Sequence, residues 1–250
     1  MKKPVVEFRN VSKTFHYVQD LPRSLKSTFV SIAKGQYFAL PRTSKTVLAD
    51  VSFSIQPGEV VGVMGRNGTG KSTMLRLLCG IYQPDSGEIV VRDKIAPLVA
   101  LGAGFHNDLS GYENIFLNGA ILGIPRARLL DLAPQIIEFS ELGEEIHNPI
   151  RNYSSGMIVR LGFSVACHLD APIIVLDEVL GVGDEGFQRK CMRKIEQFFS
   201  EGRTVILVTH DPTAMQRFCQ RCLVLEQGRL VFDGPSQGGS RSYSNLFGTA

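Results

Sequence analysis

The hydrophobic pattern divides the chain into alternating strands and helices. Val5 to Phe8 reads as a strand, and Val51, Phe53 and Ile55 alternate with Ser52 and Ser54 in the two-residue period of a half-buried one. After the turn Pro57-Gly58, Val60 to Met64 is continuously apolar, as are Ile173 to Leu176 and Val205 to Val208. Such runs predict strands buried on both faces. Met74, Leu75, Leu77 and Leu78 have helical spacing, and Ser110 with Glu113 has the spacing of a capping box. Pro125 opens a second helix carrying Leu129, Ala133 and Ile136 or Ile137. A third, after Ser154, puts Ile158, Leu161, Gly162, Val165 and Leu169 on one side. A helix around Pro212 to Cys219 follows, then two short strands, Leu223 to Leu225 and Leu230 to Phe232, about the turn Gln227-Gly228. The alternation predicts an α/β fold with a mostly parallel core sheet and a helical insertion, Ser110 to Asn152.

Two segments interrupt this pattern. Asp20 to Lys45 separates the first two strands, and its Leu21, Leu25, Phe29 and Ile32 share one helical face, with Asp20 as a candidate cap and Gly35 as a candidate end. The tail from Pro235 is rich in Gly and Ser, which predicts flexibility over 236–250.

Composition narrows the classes. With 250 residues and 44% hydrophobic content the chain can bury one large core or two modest ones. It lacks a run of about 20 apolar residues and a signal-like leader, so a cytosolic or peripheral location is expected. The five cysteines are odd in number, and the Cys219-x-x-Cys222 pair has no second pair at zinc spacing, which fits a reducing compartment. A net charge of +3 does not mark a nucleic-acid binder, and no nucleic-acid partner is expected.

The chemistry concentrates at strand ends. Gly65-Arg66-Asn67-Gly68-Thr69-Gly70-Lys71-Ser72 fits G-x-x-x-x-G-K-[ST] between an apolar strand and a helix, followed by Thr73. Glycines let consecutive N–H groups aim at phosphate oxygens, and the helix start adds positive potential. Lys71 would reach the β and γ phosphates of ATP, and Ser72 would ligate Mg2+. Asp177 and Glu178 stand at the carboxyl end of a buried strand, where ligand crevices of α/β sheets lie. Asp177 could hold Mg2+ through water, leaving Glu178 to polarise the attacking water. His210, at the mouth of another buried strand, could hydrogen-bond the γ phosphate or that water.

Asn152-Tyr153-Ser154-Ser155-Gly156-Met157 is a second anion-binding turn opening a helix. With it the chain resembles the nucleotide-binding domain of ABC transporters, whose signature loop usually reads Leu-Ser-Gly-Gly-Gln. The resemblance implies a P-loop cassette over 1–235 with an antiparallel β subdomain and a helical subdomain at about 105–168. It implies that ATP is sandwiched between two copies, with Ser154, Ser155 and Gly156 on the partner's nucleotide. Asp184 falls at the D-loop position, and Phe15, with Tyr17 as the alternative, at the aromatic that stacks on adenine. Three departures stand out: Tyr153, Ser155 and Met157 in the signature, no Gln in Leu101 to His106, and the insertion at 20–45.

The stretch Leu101 to His106, Gly111 to Asn114 and the signature itself look like the ATPases that export lipid-linked polysaccharides such as O-antigen, capsule or teichoic acid. That similarity implies a transmembrane permease partner, a polysaccharide carried through it, and a peripheral position on the cytoplasmic face of the bacterial inner membrane. The basic residues Arg23, Lys26, Lys34, Arg42 and Lys45 suit either contact with anionic lipid or an ordinary solvated face. A different export substrate, a soluble ABC ATPase or a P-loop kinase are the rival expectations.

Overall fold

The computed structural model describes residues 3–18, 42–98, 101–177 and 184–247. Strands β1 (Val6–Val18), β2 (Arg42–Ile55) and β4 (Ser86–Val91) form an antiparallel sheet in the order β2-β1-β4. The second sheet runs β5-β6-β7-β3-β8-β9, from β3 (Val60–Met64), β5 (Ile95–Leu98), β6 (Ile173–Asp177), β7 (Thr204–Val208), β8 (Arg221–Glu226) and β9 (Arg229–Pro235). Its strands pair in parallel except β9, which returns antiparallel on β8.

The strand period decides what covers each face of this core sheet. Val61, Val63, Ile173, Val175, Ile206 and Val208 point toward helix α1 (Lys71–Leu78) and the antiparallel sheet, joining Met74, Leu75, Phe8 and Leu48. Met64, Ile174, Leu176, Val205 and Leu207 point the other way, onto Phe187, Ile195 and Phe198 of α5 (Glu185–Ser200) and Met215 of α6 (Pro212–Phe218). Burial on both faces explains why these strands read as continuous apolar runs.

The helical subdomain has a core of its own. Helices α2 (Gly111–Ile121), α3 (Arg126–Ser140) and α4 (Ser155–Cys167) pack Ile115, Leu132, Ile136, Leu161 and Val165 together, with Tyr153 and Ile146 beside them. The capping box forms as its spacing predicts: Ser110 Oγ accepts from Glu113 N, and Glu113 Oε2 accepts from Ser110 N at 2.8 Å. Of the two candidates for the buried position in α3, Ile136 is fully buried and Ile137 partly so.

Three expectations change. The tail from Ser236 is a helix, α7 (Ser236–Phe247), not a flexible segment. Glycine content obscured it, yet glycine is what the packing requires, since a Cβ on Gly239 would sit 2.5 Å from Cys222 Sγ. The interruption between the first strands is also shorter than 20–45, because β1 and β2 stay paired out to Val18 and Arg42. Its proposed helical face and its Asp20 and Gly35 boundaries lie outside the described residues. Strands β4 and β5 were not anticipated.

Candidate functional site

Strand order assembles the site. In the core sheet β7 lies between β6 and β3, and in register Asp177 meets Val208 while Val208 meets Val63. The carboxyl ends of these three neighbours carry Asp177, Thr209-His210 and the P-loop, so residues far apart in sequence converge on one edge.

The P-loop itself is tightly curled. Gly70 has φ +107°, and a Cβ there would meet Val47 O at 2.8 Å and Leu48 Cδ2 at 2.7 Å, so only glycine fits. Thr69 Oγ1 donates to Arg66 O at 2.9 Å. Lys71 is 7% exposed and its ammonium donates to Gly65 O at 2.7 Å and Arg66 O at 3.1 Å, binding the loop's carbonyls. The expected α1 follows immediately, with Gly70 as its cap.

A cavity of about 650 Å3 opens on this loop, lined by Gly65 to Thr69, His210, Glu226, Gln227 and Tyr243. His210 is steadied on both sides: Asp211 N donates to Thr209 Oγ1 at 3.0 Å, and Asp211 Oδ1 accepts from Thr213 N at 2.8 Å, capping α6. A second cavity, about 540 Å3, has Ser72 and Asp177 in its lining together with Gly102, Asn118 and Gly162. A hydroxyl and a carboxylate facing one space are the hard oxygen donors that Mg2+ prefers. Glu178 lies outside the described residues.

The signature turn stands apart from these two cavities. Ser154 caps α4, its Oγ accepting from Met157 N at 3.2 Å. Ser154 and Gly156 line a cavity of about 410 Å3 with Glu141, Arg160 and Asp184, a lining that shares no residue with the P-loop cavity. Arg160 pairs with Asp184 and, at 3.5 Å, with Glu141, which also holds Lys190 at 3.0 Å. Asp184 caps α5 through Phe187 N at 3.0 Å; that bond, with the nearby Arg160 cation, holds its carboxyl below the usual range. Tyr153 is buried and donates its hydroxyl to Glu145 O at 2.6 Å; burial pushes its phenol up to about 12.

Phe15 packs edge-on against Tyr82, with centroids 5.4 Å apart, while Tyr17 is 44% exposed. Neither lines the P-loop cavity.

Several contributors were missed in the sequence. Asn114 is fully buried: its Oδ1 accepts from His106 N at 2.8 Å and its amide donates to the carbonyls of His106, Leu109 and Ser110. Asn118 donates to Ala103 O at 2.9 Å. Together they hold the stretch 103–110, where the Gln is absent. That stretch is in turn strapped to the segment before the signature: Ile150 N donates to Leu109 O at 2.9 Å, Arg151 N to Asn107 O at 3.0 Å, and Arg151 pairs with Asp108 at 2.6 Å. Two asparagines four apart in an apolar helix were a legible signal. Tyr243 had none, being in a tail read as unstructured.

A P-loop, a strand-end carboxylate, a strand-end histidine and a separate Ser-Gly helix tip on this two-sheet frame define an ATP-binding cassette. The family model described as ABC transporter matches residues 48–181, and the chain belongs to that family. It is 40% identical over 228 residues to an O-antigen export system ATP-binding protein, RfbB, of Klebsiella pneumoniae, covering 91% of this chain and 92% of that protein. An RfbB of Myxococcus xanthus is 44% identical over 205 residues, 82% of this chain, but the chain spans only 47% of that protein's length. A teichoic acids export ATP-binding protein, TagH, of Listeria monocytogenes is 36% identical over 245 residues, covering 96% of this chain and 70% of its own. Among solved structures, a dimeric ATP-binding cassette, MJ0796, in a post-hydrolysis state bound to ADP and Pi superposes with a TM-score of 0.69. It is 23% identical and covers 92% of this chain and 98% of its own, a likeness of fold.

Proposed function

We propose that this chain is the ATP-binding and hydrolysing subunit of an exporter that moves a lipid-linked, O-antigen-like polysaccharide across the bacterial inner membrane. The observation that carries the reading is similarity running through 92% of the Klebsiella O-antigen export protein. No helix among the described residues is long and apolar enough to cross a membrane, so the reading assigns the passage to a separate permease, with this chain on the cytoplasmic face.

In this reading the loop Gly65 to Gly70 and Lys71 hold the triphosphate, Ser72 and Asp177 hold Mg2+, and Thr73 continues the helix start beneath the phosphates. Mg2+ supplies charge neutralisation at the β and γ oxygens when bound. Glu178 takes a proton from the attacking water, and His210 hydrogen-bonds the γ-phosphate end from the neighbouring strand. Phe15 is the adenine platform. Ser154, Gly156 and Asp184 line a cavity that shares no residue with the P-loop cavity, which supports reading Ser154, Ser155, Gly156 and Asp184 as acting on nucleotide held by a second copy.

Glu178→Gln tests this. The amide keeps the shape of the acid but takes no proton, so the variant should bind ATP as the parent does, lose turnover by at least about 100-fold, and elute as a dimer in ATP. Turnover near the parent's rate would reject Glu178 as the base. Reconstitution with its cognate permease should yield ATP-dependent polysaccharide transport, and failure with that permease and its glycan would reject the exporter reading.

A further inference from the structure

Tyr243 brings α7 into the phosphate site. Its ring packs against the apolar cluster that contains Met215, Cys222 and Val224, together with Phe232. The same residue lines the 650 Å3 cavity with Gly65 to Thr69 and His210. Ser72 and Asp177 line the other cavity, so Tyr243 sits on the His210 side of the P-loop, away from the Mg2+ ligands. The helix that carries it is fixed: Ser236 N donates to Gln220 O at 3.1 Å, Ser236 and Ser240 are buried, and Gly239 lies against Cys222. A tyrosine that packs on the core and also lines an anion cradle brings a phenol, a hydrogen-bond donor, to that cavity.

We infer that Tyr243 is a specificity-determining residue for the nucleotide, its hydroxyl donating to the γ-phosphate end of ATP from the wall facing His210. The inference rests on the reading of Gly65 to Lys71 as the phosphate cradle. A contact to the terminal phosphate separates ATP from ADP, whereas a merely structural role for the ring affects both alike.

The test is Tyr243→Phe in the full chain, which removes the hydroxyl and keeps the packed ring, with Lys71→Ala alongside. Equilibrium binding of Mg-ATP and Mg-ADP is measured for each. The loss of one hydrogen bond should weaken ATP binding by about three- to tenfold in Tyr243→Phe, with ADP binding within about twofold of the parent. Equal weakening of ATP and ADP, or no change in either, overturns the inference. Lys71→Ala separates the two levels of argument. If it loses affinity while Tyr243→Phe binds both nucleotides normally, the cradle stands and Tyr243 has no role; if it binds normally, the cradle reading falls and this inference with it.

Discussion

Replacing Asn114 with Ala should loosen the stretch 103–110 more than any exposed substitution nearby. The side chain is fully buried and makes one bond as acceptor, from His106 N, and three as donor, to the carbonyls of His106, Leu109 and Ser110. The three carbonyls keep other partners: Leu109 N on His106 O, Ile150 N on Leu109 O, and Asn114 N on Ser110 O. The His106 N–H loses the acceptor that Asn114 supplies. That bond is worth about 1 kcal/mol, the shared donors about 1 more, and the truncated buried side chain adds to both, for about 2–3 kcal/mol in all. For a chain of this size the loss corresponds to about 5–10 °C in Tm. Hydrogen exchange follows it at the site: the His106 amide should exchange about 30-fold faster, at about 1.4 kcal/mol per tenfold, while amides of β3 and β7, which open with the whole fold, should speed up by no more than the global loss. A variant that unfolds within about 0.5 kcal/mol of the parent and leaves the His106 rate unchanged would refute the assignment of Asn114 as the staple of this loop.

Gly70→Ala should place a methyl against Val47 O and Leu48 at a φ of +107°, with a strain of about 1–3 kcal/mol. ATP affinity should fall by more than about tenfold in a nucleotide titration, and parent-like affinity would show that the loop tolerates a side chain there. The thiols give a pH test. Burial pushes Cys79 up to about 11 and Cys191, Cys219 and Cys222 up to about 12, so all four stay protonated at pH 8 and native alkylation should be slow. Because the native values are raised, these thiols favour the folded state below the unfolded value of about 8.5, and that contribution is lost as pH rises toward 11. Alkylation at pH 8 as fast in the native chain as in urea would contradict this.

Much of the architecture was legible because burial on both faces leaves an unbroken apolar run, as in β3, β6 and β7, and because caps such as Ser110 and Ser154 use side chains whose spacing is fixed. The P-loop was equally plain, since its motif is local. What the sequence hid depended on other parts of the chain. Helix α7 is stabilised by small residues fitting against Phe232 and Cys222, so its Gly and Ser content looked like disorder. Strands β4 and β5 are half-exposed edges whose partners lie far off in sequence, Val91 on Val6 and Ile95 on Ile173. Arg160 was passed over because its meaning lies in Asp184, 24 positions away.

The strap between residues 107–109 and 150–151 has a mechanical corollary. Two backbone bonds and one ion pair make those strands of loop a single lever, with the Ser154 tip at one end and the crevice holding Asp177 and Ser72 near the other. A displacement of 103–110 would be passed along these bonds to the segment that leads into Ser154, so under the proposed sandwich of two copies a change at one nucleotide has a route to the tip assigned to the other.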